Sequence, residues 1–192
     1  MRTTTEPFRI LTVCTGNICR SPMAERLLQS GLDQMAPGEF EVTSAGTGAL
    51  VGSGIEPHVA GFVNIFGGNS EDFTSRQLTA DILQGQDLVL ALTRGHRSKI
   101  MELAPGLLRR TFTLRELARL LPLVDADPEA AAADRWKAAM SRALRLRSAH
   151  PAGPKEDDVV DPYRRSDDVY QQMVRELTPA VEELLAWERR YR

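Results

Sequence analysis

Apolar residues follow two rhythms along this chain. Phe8 to Val13 (FRILTV) is a short run rich enough in apolar residues to be a buried strand. Ala24, Leu27, Leu28, Gly31, Leu32 and Met35 then recur at helical spacing until Pro37-Gly38 stops them. Pro22 suits the first helical position, because its missing N–H would have no partner there anyway. Phe40 to Gly48 (FEVTSAGTG) reads as a second strand running into a glycine turn. Val59, Phe62, Val63 and Phe66 form another stripe after Pro57, ended by Gly67-Gly68. Asp87 to Thr93 (DLVLALT) is a continuous apolar run after Gly85, the pattern of a strand covered on both faces. A short helix follows through Ile100 and Leu103 to Pro105-Gly106. RTFTL is a weaker strand candidate, with helix-like RELARLL behind it.

Strands alternating with helices predict an α/β fold. The expected form is a single three-layer domain over residues 1–192. A central parallel sheet of about four strands carries helices on both faces, and a phosphate-binding loop follows the first strand. The later third differs in character. Asp127-Pro128 opens an alanine-rich helical stretch with Trp136, Met140 and Leu144 on one face. Its other face reads as basic, with Arg135, Lys137, Arg142, Arg145 and Arg147, and a solvated face is the favoured meaning over a docking surface. A loop rich in proline and acid follows (PAGPKEDDVVDPYRRSDD). A long closing helix has Val169, Met173, Leu177, Val181 and Leu184 as its inner stripe.

Composition narrows the classes of function. The chain has 192 residues, 42% hydrophobic and 26% charged, with a net charge of −2. That is enough chain for one domain with a sizeable core, and nothing global points to nucleic acid or an anionic membrane. No stretch approaches the roughly 20 apolar residues of a membrane span. The opening MRTTTEPFRILTV lacks the apolar core of a signal peptide. Two cysteines are too few for a secreted disulfide framework. The expectation is a cytoplasmic protein with a reduced thiol available for chemistry.

Both cysteines fall in VCTGNICRSPMAERLL, Val13 to Leu28. A loop that leaves a strand and enters a helix can aim successive backbone N–H groups at one point, where the helix N-terminus adds positive charge. Gly16 allows backbone angles that other residues avoid, and Asn17 tolerates them better than most. Such a nest suits an oxyanion, most naturally phosphate. Cys14, at the strand end, would face it, and the amides, the helix dipole and Arg20 all favour a nucleophilic thiolate. The planar fork of Arg20 fits two phosphoryl oxygens, and Ser21 can donate to the Cys14 sulfur. A free cysteine is by itself more often a small core residue. The strand before, the helix after and the whole string CTGNICRS turn the balance toward a site. His58, His96 and His150 are scattered and give no zinc-ligand spacing with two cysteines, so no metal and no cofactor is expected.

Cys14-Thr15-Gly16-Asn17-Ile18-Cys19-Arg20-Ser21-Pro22-Met23-Ala24-Glu25 resembles the signature of the low-molecular-weight protein tyrosine phosphatases. TSAGTG (Thr43 to Gly48), SRQLTADI with DLVLAL (within Ser75 to Leu92) and DPY (Asp161 to Tyr163) agree with it. The resemblance spans most of the chain except roughly 121–158, where extra helical sequence is expected. It implies attack of Cys14 on phosphorus to form a phosphocysteine. The amides of Thr15, Gly16, Asn17, Ile18, Cys19 and Arg20, with the Arg20 side chain and Ser21, would hold the phosphoryl group. Asp161 would protonate the leaving phenolate and then activate water. The sequence alone does not single out Asp161 from Glu156, Asp157, Asp158, Asp167 and Asp168, which read as solvated loop charges. Asn17 and Ser44 match positions that shape the loop. Cys19 matches a cysteine that can pair reversibly with the nucleophile, and a simple packed thiol is the equal alternative.

Departures concern the surroundings. Phe73 stands where relatives commonly have histidine and Thr93 where they have aspartate, so the bracing of the loop is expected to differ. Leu50 replaces an aromatic wall, and Arg164 replaces the second aromatic after DPY; with Tyr163 they would form the substrate rim. Ile18 favours a flat phenyl ring over phosphoarginine, and Arg164 suggests an acidic peptide. The implied partner is a phosphotyrosine protein, with a tyrosine kinase as a second candidate, no nucleic acid and no membrane, for a monomer or weak dimer. Other readings are a phosphoarginine phosphatase, an arsenate reductase, which usually needs a further cysteine pair that is missing after Cys19, and a catalytically weak module that binds phosphorylated ligands.

Overall fold

The computed structural model describes residues 6–192. Met1 to Thr5, the start of the stretch compared with a signal peptide, lie outside them. The strands are β1 (Phe8–Cys14), β2 (Phe40–Gly46), β3 (Leu88–Ala91) and β4 (Thr111–Thr113). All pair in parallel in the order β2-β1-β3-β4, as the alternating pattern predicts. In register, Cys14 sits opposite Gly46 of β2, while Val13 sits opposite Ala91 of β3. The chain therefore leaves β1 in opposite lateral directions, first to β2 and later to β3. The end of β1 lies at that reversal of strand order, the crevice where open α/β sheets bind ligands.

The helices are α1 (Arg20–Met35), α2 (Pro57–Ile65), α3 (Ala80–Gln84), α4 (Arg94–Leu103), α5 (Leu114–Leu120), α6 (Ala132–Leu146), α7 (Pro154–Asp157) and α8 (Asp167–Arg189). The two faces of the sheet divide the core. Phe8, Ile10, Leu88, Leu90 and Phe112 meet α1, α5, α6 and α8 on one face. Leu11, Val13, Val89 and Ala91 meet Leu83, Ile100 and Leu107 on the other. Both rhythms of the sequence are thereby satisfied: period two across the strands, and one apolar stripe per helix. Gly31 lets α1 approach α8, since a Cβ there would collide with Leu185. No helix of the described residues is long and apolar enough to cross a membrane.

Several expectations need correction. Pro22 is the third residue of α1, not the first; its missing N–H still costs nothing, because the first turn has no internal acceptors. α3, too short to show a period, was not expected; Thr79 caps it by accepting from the Ile82 amide at 3.2 Å. The alanine-rich helix begins only at Ala132. Its outer face is less basic than predicted, because Arg135 is buried and pairs with the fully buried Glu188 at 2.5 Å. Trp136 donates to the same carboxylate at 2.8 Å and packs among Phe8, Phe40 and Trp187. Arg147 turns back to Glu116 at 2.6 Å. Only Lys137, Arg142 and Arg145 stay exposed.

Candidate active site

The loop between β1 and α1 is built from the outside. The carbonyls of Cys14, Thr15, Gly16 and Ile18 accept from the amides of Thr47, Gly48, Leu50 and Glu56, at 2.9 to 3.0 Å. With its carbonyls tied outward, the backbone of Thr15 to Arg20 has no partner for any of its N–H groups among the described residues. Those amides precede the first turn of α1, where the helix dipole adds to their charge. The loop passes so close to β2 that a Cβ on Gly46 would strike the Thr15 carbonyl oxygen.

The turn itself differs from expectation at one residue. Gly16 does not adopt left-handed backbone angles; Asn17 does, with φ of 55°. Asn17 is fully buried and tolerates that conformation because its amide is saturated. Its Nδ2 donates to Ser21 Oγ at 2.9 Å and Ser44 Oγ at 2.8 Å, while its Oδ1 accepts from the Arg76 amide at 2.9 Å. Ser44 in turn donates to Glu25. Burial raises the Glu25 carboxyl above its ordinary range, against the Ser44 hydrogen bond. Arg76 completes the ring by donating to the Ser44 carbonyl at 2.8 Å.

Cys14 is buried at the floor, with its Sγ 3.0 Å from Ser21 Oγ. Arg20 is buried as well. Its Nη1 donates to the Val159 carbonyl at 3.0 Å, and its Nη2 meets Asp161 Oδ2 at 3.1 Å. Its Nε is buried with no partner among the described residues, so one edge of the fork is free for an oxyanion. Asp161 is half exposed, 52% at its side chain, and its other oxygen accepts from the Tyr163 amide at 3.2 Å. Cys19 is a free, buried thiol, and burial first and the neighbouring Cys14 second hold it protonated. A cavity of about 140 Å³ joins these groups, lined by Cys14, Thr15, Gly16, Ile18, Cys19, Arg20, Gly48, Leu50, Asp161 and Tyr163.

Leu50 and Tyr163, expected at the substrate rim, both line this cavity. Arg164 does not line the cavity; it lies over the Tyr163 ring, 5.1 Å from its centre, with φ of 56°. Of the two departures named for bracing, Phe73 packs against Arg26 at 5.6 Å, away from the loop. Thr93 caps α4 and lies 3.0 Å from Nδ1 of His96, whose Nε2 is 2.8 Å from Thr15 Oγ1. His96 is a site residue that the sequence offered only as a scattered histidine. Burial, and then Arg20, push its pKa down to about 4, so its ring is neutral and serves as a hydrogen-bonding strut. Asp157 and Asp158 are not solvated charges. Asp157 is buried between Arg94 and Arg119, at 2.8 and 2.9 Å, and Asp158 Oδ1 accepts from the Arg94 amide at 2.8 Å. Glu156 closes the first turn of α7 by accepting from the Gly153 amide at 2.9 Å.

Comparisons with known proteins agree with this geometry. A family model described as low molecular weight phosphotyrosine protein phosphatase matches residues 9–119. The low molecular weight protein-tyrosine-phosphatase Wzb of Salmonella typhi is 39% identical over 97 residues, 50% of this chain and 62% of the relative. The chain thus spans 62% of the length of that curated relative. A protein-arginine-phosphatase of Geobacillus stearothermophilus is 43% identical over 110 residues, 57% of this chain and 71% of the relative. Among solved structures, the low molecular weight protein tyrosine phosphatase from T. tengcongensis aligns over 93% of this chain and 98% of its own, with a TM-score of 0.68 and 26% identity. The YwlE arginine phosphatase from G. stearothermophilus aligns over 96% and 94%, with a TM-score of 0.68 and 29% identity. With the signature loop, the sheet order and the cavity all inside or beside the matched segment, the chain belongs to the low molecular weight phosphotyrosine protein phosphatase family.

Proposed function

We propose that the protein hydrolyses phosphotyrosine in proteins, with a phosphocysteine formed at Cys14. The observation that carries this reading is the row of unpartnered amides from Thr15 to Arg20 around a buried thiol, under an arginine bonded to a carboxylate. Cys14 Sγ attacks phosphorus as the phenolic oxygen departs with the Asp161 proton. The loop amides and the free edge of Arg20 take the charge that spreads over the phosphoryl oxygens. Ser21, 3.0 Å from the sulfur, steadies the thiolate when the intermediate is cleaved by water, for which Asp161 is the base. A mutant of a YwlE arginine phosphatase holds a phosphorylated active site serine, which supports a covalent intermediate in this fold.

Ile18 on the floor and Leu50 and Tyr163 at the sides make the cavity an apolar slot, which favours a flat ring. Arg164, stacked on Tyr163 in an uncommon backbone conformation, favours an acidic side chain next to the phosphotyrosine. Cys19 would act as resolving thiol if Cys14 were oxidised, and peptide mapping after peroxide with and without reductant checks that pairing. Two reduced thiols fit a cytoplasmic site of action, and a monomer or weak dimer presents the slot without a partner subunit.

The test is a panel of phosphotyrosine peptide, phosphoarginine peptide and phenyl phosphate, with Cys14→Ser as control. Turnover of phosphotyrosine that vanishes in the control is the expected result. Full activity in Cys14→Ser, or preference for phosphoarginine, overturns the reading. The second outcome has its own support in the 43% identical arginine phosphatase.

A further inference from the structure

The first turn of α4 touches both halves of the site. Just before it, the Leu92 carbonyl accepts from the Val159 amide at 2.9 Å, and the Val159 carbonyl accepts from Arg20. Two residues on, the Arg94 amide donates to Asp158, and the Arg94 guanidinium grips buried Asp157 and the Ala152 carbonyl. Another two residues on, His96 meets Thr15, the cavity residue next to the nucleophile. Alternate residues of one short segment therefore hold the loop that carries Asp161 and the loop that carries Cys14.

We propose that Arg94 and His96 are positioning residues that set the acid and the nucleophile relative to one another, Arg94 through Asp157 and Asp158, His96 through Thr15. The proposal rests on the phosphatase reading for its kinetic consequence. A helix turn is stiff, so two loops fastened to it keep a fixed spacing across the cavity. Loss of the Arg94 side chain removes one of the two arginines that hold buried Asp157, together with the bond to the Ala152 carbonyl. Arg119 alone compensates a buried carboxylate less well than two arginines, so the segment from Asp157 to Asp161 loosens while the bonds of the phosphate loop stay in place.

Protonation by Asp161 matters most when the leaving group is poor. Arg94→Ala is expected to lower kcat for phenyl phosphate by roughly 10- to 100-fold, a share of what general acid catalysis supplies. An activated nitrophenyl phosphate should lose under about threefold by the same reasoning. Inhibition by inorganic phosphate should be unchanged. His96→Ala should instead weaken phosphate inhibition and lower both substrates alike, with His96→Gln recovering part of the loss. Arg94→Lys, which keeps the charge and loses the fork, serves as the milder variant and should give an intermediate, leaving-group-selective loss. Hydrogen exchange gives a readout without turnover: Arg94→Ala should speed exchange across 157–163 and spare 14–20, and His96→Ala the reverse. Equal loss for both leaving groups in the Arg94 variants, or unchanged exchange in both segments, overturns the proposal. A wild-type protein inactive on every aryl phosphate refutes the phosphatase reading instead, and the exchange experiment still decides the positioning.

Discussion

The loop that carries Cys14 and the loop that carries Asp161 reach one cavity by different means. From Cys14 to Arg20 the chain is contiguous and buried except at Thr15 and Gly16, with outward carbonyls tied to the 47–56 segment and an internal strut at Asn17. The Asp161 loop arrives from far along the chain. Asp161 itself is half exposed, and its polar partners among the described residues are Arg20 and the Tyr163 amide. Its fixed part lies upstream, where Asp157 is locked between two arginines, and at Val160, whose amide donates to Glu176 of α8 at 2.7 Å. Cys14 is thus enclosed by its immediate neighbours, while Asp161 extends half exposed just beyond the anchored run from Asp157 to Val160. Under the proposed mechanism, such an arrangement suits an acid that must exchange protons with solvent and a nucleophile that must not move.

The predictions press on that contrast. Cys14→Ser should remove turnover by at least about four orders of magnitude. Phosphate affinity measured by calorimetry should stay within a few-fold of wild type, because the amides are untouched. Asp161→Asn should cost roughly 100- to 1,000-fold on phenyl phosphate and far less on an activated aryl ester. A uniform loss across leaving groups would mean that Asp161 serves the cradle rather than the proton.

The strut at His96 has a pH signature. Its folded pKa lies near 4 against an ordinary 6.5, so the unfolded chain takes up the proton first as pH falls. Stability from this group is therefore present above 6.5, is lost progressively below it and is gone by about 4; the full amount is on the order of 3 kcal/mol. Urea midpoints between neutral pH and pH 4.5 should fall less steeply in His96→Gln than in wild type, and parallel slopes would contradict a neutral buried ring. The smallest effect belongs to the rim. Arg164→Glu should lower kcat/KM about three- to fivefold on an acidic phosphotyrosine peptide, the size of an exposed ion pair. Phenyl phosphate should be unaffected.

Much of this was legible before any coordinates. The four strands and the main helices follow from pattern, and Cys14, Arg20, Asp161, Leu50 and Tyr163, named from pattern and resemblance, line one cavity. What was misread has a common cause. Arg135, Asp157 and Asp158 read as solvated charges in the sequence because charge on a helix face or acidic loop is usually solvated. Their partners Glu188, Arg94 and Arg119 lie tens of residues away, and no local pattern announces such a pair. Gly16 and Asn17 both suit the left-handed turn by sequence, and it is Asn17 that adopts it, since the choice depends on Ser44 and Arg76 saturating the asparagine amide.

By itself, the sequence determined what is encoded over short spans: a strand, a loop with a thiol and an arginine, and a helix to receive an anion. These follow from side-chain periodicity and from backbone groups of adjacent residues, which interact however the rest of the chain folds. Only the tertiary structure decided how Asp161 comes to share a cavity with Cys14, which charges are buried and which histidine braces the loop. Those depend on long-range pairs such as Arg20 with Asp161 and His96 with Thr15, whose contact requires the parallel sheet to bring the ends of β1 and β3 side by side.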